Sequence, residues 1–165
     1  MKIRIFGATA SGKSTLAKYL GEQLNLPIFS TDKVKYPNNF EIEIPETERN
    51  KYIQKNIKQK WIVEGVHYEK WCKVTYENSD IILILEKSTI TLIYRIIKRT
   101  LKIKKLSLKN KIKDIIKLIK MIFKYSKKEN HTYEKLAKNN NKPFLIIKNN
   151  NYKKILDIIK SNHYQ

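Results

Sequence analysis

A three-layer α/β fold, with a parallel sheet covered by helices on both faces, is what this sequence predicts. Two observations carry the prediction. Five short apolar segments recur along the 165 residues, separated by stretches of helical periodicity. The first apolar segment also runs directly into a glycine turn and then a helix.

The opening segment is Lys2-Ile3-Arg4-Ile5-Phe6, a β-prone run. It leads into Gly7-Ala8-Thr9-Ala10-Ser11-Gly12-Lys13-Ser14, a complete G-x-x-x-x-G-K-[ST] phosphate loop. Thr15 to Leu24 follow with apolar residues at helical spacing. Gly7 and Gly12 give the loop the backbone freedom to aim its N–H groups at oxygen anions. The helix behind it presents its positive end to the same anion. Lys13 is placed to reach the β- and γ-phosphates of ATP, Ser14 to ligate Mg²⁺, and Thr15 to meet the α-phosphate.

Pro27–Ser30 is the second strand, short and ending at Thr31-Asp32. Pro45-Glu46-Thr47-Glu48 starts a helix that runs through Arg49, Tyr52, Ile53 and Ile57. Trp61–Glu64 is the third strand, closed by Gly65, and Ile81–Leu85, apolar throughout, reads as a buried central strand. Ser88 or Thr89 caps the next helix, with Ile90, Ile93, Tyr94 and Ile97 on its apolar side. From Lys98 to Lys128 there are thirteen basic residues and one acid, Asp114. Within that stretch Ile112, Ile115, Ile116, Ile119, Ile122 and Phe123 mark an amphipathic helix whose outer face is lysine. Pro143 introduces the last strand, Phe144–Ile147, and Tyr152 to Ile159 form a closing helix with Ile155, Leu156, Ile158 and Ile159 inward. No repeat or long linker interrupts this order, so residues 1–165 are expected to form one domain.

The net charge of +20 invites an anionic partner. Two explanations stay open for it: non-specific nucleic-acid contact through 98–128, or a lysine-rich solvent face fed by a composition crowded with Lys, Asn and Ile. No apolar run is long enough to span a bilayer, and attachment to anionic lipid through the basic helix ranks behind both. Cys72 is the single cysteine, which excludes an internal disulfide and a cysteine zinc cluster. It is expected to be an ordinary packed residue in a cytoplasmic protein without export.

Two acids narrow the chemistry. Glu64, at the end of a strand, is placed to orient Mg²⁺ or its waters, and Asp32 to face the hydroxyl of a phosphate acceptor. A turn or cap role for Asp32 and a structural hydrogen bond for Glu64 are the plainer readings. Only four arginines occur, Arg4, Arg49, Arg95 and Arg99. Arg95 and Arg99 lie one helical turn apart, where they either clamp the transferring phosphoryl group or extend the basic stripe. Arg49 binds the acceptor or nothing. His67 and His131 read as surface or hydrogen-bonded residues. Tyr36, Tyr68 and Trp71 form either a stacking wall or plain packing.

The Gly7–Ser14 loop, Leu26-Pro27 with Asp32, Trp61-Ile62-Val63-Glu64-Gly65-Val66-His67-Tyr68, and Asp80–Leu85 followed by Tyr94–Thr100 together resemble one family. It is the bacterial topology modulation proteins, an adenylate-kinase-like branch of the phosphate-loop kinases, and the similarity runs from Met1 to about Ile159. The resemblance implies a five-stranded sheet in the order 2-3-1-4-5 and a lid around Arg95–Arg99, within a basic helical segment of about 95–130. Ser30, Lys33 and Val66-His67 depart from the family pattern, all on the acceptor side. Two functions follow as expectations. One is an ATP- and Mg²⁺-dependent kinase acting on a nucleoside, a nucleotide or another small molecule. The other is a nucleotide-gated nucleic-acid-binding protein that influences DNA topology.

Overall fold

The computed structural model describes residues 1–37, 42–103 and 107–161, with the side chains of 125–127 excepted. Its strands are β1 (Lys2–Gly7), β2 (Ile28–Ser30), β3 (Trp61–Glu64), β4 (Ile81–Leu85) and β5 (Phe144–Ile147). Its helices are α1 (Lys13–Leu24), α2 (Thr31–Lys35), α3 (Glu46–Asn56), α4 (Val74–Glu77), α5 (Thr89–Leu101), α6 (Leu108–Asn139) and α7 (Tyr152–Ser161). The strands form one parallel sheet in the order β2-β3-β1-β4-β5. Every crossover is long enough to carry a helix, as parallel pairing demands.

Strand pleating sorts the core into two layers. Ile3 and Ile5 of β1, with Ile81, Leu83 and Leu85 of β4, turn toward Leu16 and Leu20 of α1 and Ile155, Leu156 and Ile159 of α7. Phe6, Ile82 and Ile84 turn the other way, against Tyr76, Tyr133 and Ala137. Each fully buried side chain of this size stabilises by about 2 kcal/mol relative to exposure. Smaller clusters join Ala8 to Leu92, Ile96 and Ile122, and Ile53 to Trp71 and Cys72.

Two helical faces differ from the periodicity reading. On α5 the buried positions are Leu92, Ile96 and Thr100, whereas Ile90 and Tyr94 are exposed. The phosphate loop supplies the reason: α5 packs on Ala8, which selects the face one step round from the apolar stripe. On α6, Ile115, Leu118 and Ile122 meet α5, while Ile112, Ile116 and Phe123 stay exposed. One neighbouring helix covers less than the full width of that stripe. Ser88 caps α5 by accepting from Thr91 N at 3.3 Å, and Ser107 caps α6 by accepting from Asn110 N at 3.4 Å. The expected continuous basic segment therefore divides between two helices, with 104–106 outside the described residues. No described helix is long and apolar enough to cross a membrane.

Candidate active site

The loop after β1 is bent by three residues with positive φ. Gly7 lies at 150°, Ala10 at 65° and Gly12 at 105°. At Gly7 a Cβ would come 2.7 Å from Ser11 Oγ and 2.8 Å from the Leu85 carbonyl, so glycine is required by conformation and by space. The Ser11 amide donates to the Ala8 carbonyl at 3.1 Å and closes the turn. α1 begins at Lys13, leaving its first N–H groups at the mouth of the loop.

Cations sit on the carbonyl side of this turn. Lys13 is buried and its Nζ donates to Ala8 O at 3.1 Å. Arg95, reaching across from α5, donates from Nη1 to Ser11 O at 2.9 Å and Ala10 O at 3.3 Å. Burial pulls the Lys13 ammonium below its usual pKa, against the opposing pull of Asp32 and Glu64. Ser14 and Thr15 are exposed on the first turn of α1. Arg99 is exposed as well, one turn beyond Arg95, so the structure brings Arg95 to the loop and leaves Arg99 outside.

Glu64 ends β3, paired with Ile5 of β1 and Ser30 of β2, which fixes it beside the loop. It is 5% exposed; Oε1 accepts from Ser14 Oγ at 3.2 Å, and Oε2 is buried without a hydrogen-bond partner. A buried carboxylate oxygen left unpaired next to a serine hydroxyl fits a divalent cation or its water. Among the described residues no group of three or more His, Cys, Asp or Glu side chains forms a metal cage.

Asp32 lies in the first turn of α2, just past β2. Its Oδ1 accepts from the Val66 amide at 3.3 Å and lies 3.6 Å from His67 Nε2. His67 in turn meets Glu69 at 3.0 Å through Nδ1. Burial works to raise the Glu69 carboxyl, but hydrogen bonds from His67, a backbone amide and Lys35 outweigh it and hold the group at about 2. His67 is therefore hydrogen-bonded, one of the two expectations for it, and lies between Asp32 and Glu69.

Trp71 is buried, and Arg49 stacks on it at 5.1 Å, so Trp71 is packing and not an open wall. Tyr36 and Tyr68 keep partial exposure beside His67 and Tyr133. Cys72 is fully buried, and burial pushes its thiol up to about 12, which removes it from nucleophilic chemistry.

Three features escaped the sequence reading. Arg4 is fully buried in the middle of β1 and donates to the carbonyls of Val63, Gly65 and His67 at 3.1, 3.4 and 2.7 Å. Tyr133, on α6, donates its hydroxyl to Val66 O at 3.0 Å and stacks on Phe6. Together they fix the 65–67 turn that meets Asp32. The third feature is an open cleft of about 740 Å³ beside Ala8 and Arg95, walled by Lys87 and Ser88, by Asn130 of α6, and by Asn149 after β5. A basic residue inside an apolar strand was the one available signal for Arg4; nothing in the periodicity marked the other two.

A glycine loop folded over a helix N-terminus, at the carboxyl end of the central strand in a 2-3-1-4-5 parallel sheet, defines the P-loop NTPase fold. Solved structures agree. Shikimate kinase from Bacteroides thetaiotaomicron is 14% identical over 98% of this chain and 97% of its own, with a TM-score of 0.63. Shikimate kinase from Acinetobacter baumannii, in complex with shikimate, is 17% identical over 99% and 95%, at 0.59. Deoxyadenosine kinase from M. mycoides with bound dATP is 22% identical over the full length of both chains, at 0.54. At such identities the likeness is one of fold. No protein-family model and no curated protein matches the chain. Of the resemblance read from the sequence, the likeness to phosphate-loop kinases is matched by these structures, while nothing in the comparisons names a topology modulation protein.

Proposed function

We propose that this chain is a small-molecule kinase that transfers the γ-phosphoryl group of ATP to a hydroxyl-bearing acceptor of the nucleoside or nucleotide kind. One observation carries the reading: Lys13, Ser14, Glu64 and Asp32 converge at the carboxyl ends of three adjacent strands, with Arg95 of α5 bonded to the same loop. Kinase neighbours in fold support it without establishing it.

In this mechanism the phosphate tail lies over the amides of Gly7 to Thr15, and the nucleoside enters the cleft between Ser88, Asn130 and Asn149. Ser14 and Glu64 would hold Mg²⁺, which would supply positive charge against the phosphate oxygens. The acceptor oxygen attacks the γ-phosphorus in line, the bond to the β–γ bridging oxygen breaks, and ADP leaves. Asp32 takes the hydroxyl proton, held in place by the Val66 amide and His67. Lys13 and Arg95 stabilise charge on the equatorial oxygens, and Arg99 joins them when the end of α5 closes.

Lys13→Ala tests this. ATP consumption against a panel of nucleosides, nucleotides and sugars should fall at least about a hundredfold. The circular dichroism spectrum should stay unchanged, because the variant also removes a buried charge. Undiminished transfer by that variant refutes the assignment.

A further inference from the structure

We infer that Glu43 sets the class of acceptor, by filling an anion-binding cup so that an uncharged, hydroxyl-bearing molecule is preferred over one carrying a phosphate or carboxylate. The inference rests on the kinase reading above and narrows it.

The cup is built from α2 and α3. Lys35 Nζ and Arg49 Nη2 both approach Glu43 Oε1, at 3.5 and 3.3 Å, and Tyr36 donates its hydroxyl to Glu43 Oε2 at 3.3 Å. The cations are held tightly: the Lys35 side chain is 15% exposed and that of Arg49 is 9%. Glu43 is the exposed member, at 49%. Its backbone is pinned too, because the Ile44 amide donates to Lys35 O at 3.0 Å. A planar guanidinium, an ammonium and a phenol around one carboxylate are what a bound phosphate or carboxylate would require. Here the protein supplies that anion itself.

The cup belongs to the acceptor side. Lys35 also donates to Glu69 at 3.2 Å, Glu69 meets His67, and His67 meets Asp32. Along this chain two cations, Lys35 and Arg49, face two carboxylates, Glu43 and Glu69. An anionic acceptor has to displace Glu43 or accept its repulsion. A neutral acceptor meets neither cost.

The test uses matched pairs that differ only in the anion: a nucleoside with its 3′-monophosphate, and shikimate with its methyl ester. Wild type should turn over the neutral member of a pair faster. Glu43→Gln, which keeps the shape and deletes the charge, should raise the anionic-to-neutral ratio of kcat/KM by about tenfold or more. A second readout needs no turnover. Inorganic phosphate, titrated by calorimetry in a Lys13→Ala background to weaken the phosphate loop, should bind about tenfold tighter once Glu43→Gln is added. Turnover with an unchanged ratio, or a wild type that prefers the anion, overturns the inference and leaves the kinase reading standing. Tighter phosphate binding without any turnover upholds the anion cup but removes the kinase reading, and with it the acceptor assignment.

Discussion

Replacing Gly65 by alanine should damage both the fold and the acceptor side, and the structure says by how much. Gly65 has φ 140°, where a side chain is strained, which costs about 1–3 kcal/mol. Its added Cβ would lie 1.9 Å from Thr31 Oγ1 and 2.9 Å from Asp32 Oδ1. Thr31 is fully buried and its hydroxyl donates to Glu64 O at 3.2 Å, so moving it away costs about 1 kcal/mol more for the lost bond. Overpacking adds about 1–3 kcal/mol. The total, about 3–7 kcal/mol, is a large share of the roughly 5–15 kcal/mol that stabilises a domain. Urea unfolding measures it as a lower midpoint at constant slope. Removing the clashing hydroxyl with Thr31→Ala should recover about 1–2 kcal/mol of the loss in the double variant, a non-additivity that contact predicts. Gly21→Ala serves as the contrast: there the nearest atom is the tip of Ile28, which is 43% exposed and free to swing aside, so stability should change by about 1 kcal/mol or less. A Gly65→Ala protein within about 1 kcal/mol of wild type would refute the account of the turn.

Tyr133→Phe removes the hydrogen bond to Val66 O but keeps the ring on Phe6, so unfolding should show a loss of about 1 kcal/mol. The acceptor KM should rise in the same variant, because the 65–67 turn positions Asp32; an unchanged KM would limit Tyr133 to packing. Glu69 gives a pH signature. Its folded pKa of about 2 lies below the ordinary 4.5, so its stabilisation is complete above about pH 5 and is lost as pH falls from there toward 2. The group is half exposed, and solvent screening reduces the effect to about 1 kcal/mol. Glu69→Gln should therefore flatten stability against pH over that window, and equal slopes for variant and wild type would sink the assignment.

Much of the fold was legible along the chain. Trp61–Glu64 and Ile81–Leu85 stand where their apolar runs predict, because strands buried on both faces favour unbroken apolar runs, and Phe144–Ile147, partly exposed at the sheet edge, stands where its apolar run after Pro143 predicts. The phosphate loop was legible for a different reason. Its requirements are local, so glycine, lysine and serine at fixed spacing suffice to state them. The faces of α5 and α6 were not legible, since both helices carry apolar residues around more than half their girth and only the neighbour chosen in space decides which ones are covered.

Spacing likewise put Arg95 and Arg99 on one helical face, yet only Arg95 is near enough to Gly12 to bond the loop. What the sequence determined by itself was the strand–loop–helix unit and the alternation that makes a parallel sheet, both products of short-range backbone preference. The tertiary structure decided which distant groups meet: Arg4 and Tyr133 beneath the 65–67 turn, His67 between two carboxylates, and Glu43 seated on Lys35 and Arg49. Those contacts are polar, join different elements and follow no period, so apart from the basic residue inside an apolar strand at Arg4 a linear pattern holds no trace of them; closing the sheet in the order β2-β3-β1 brought them together.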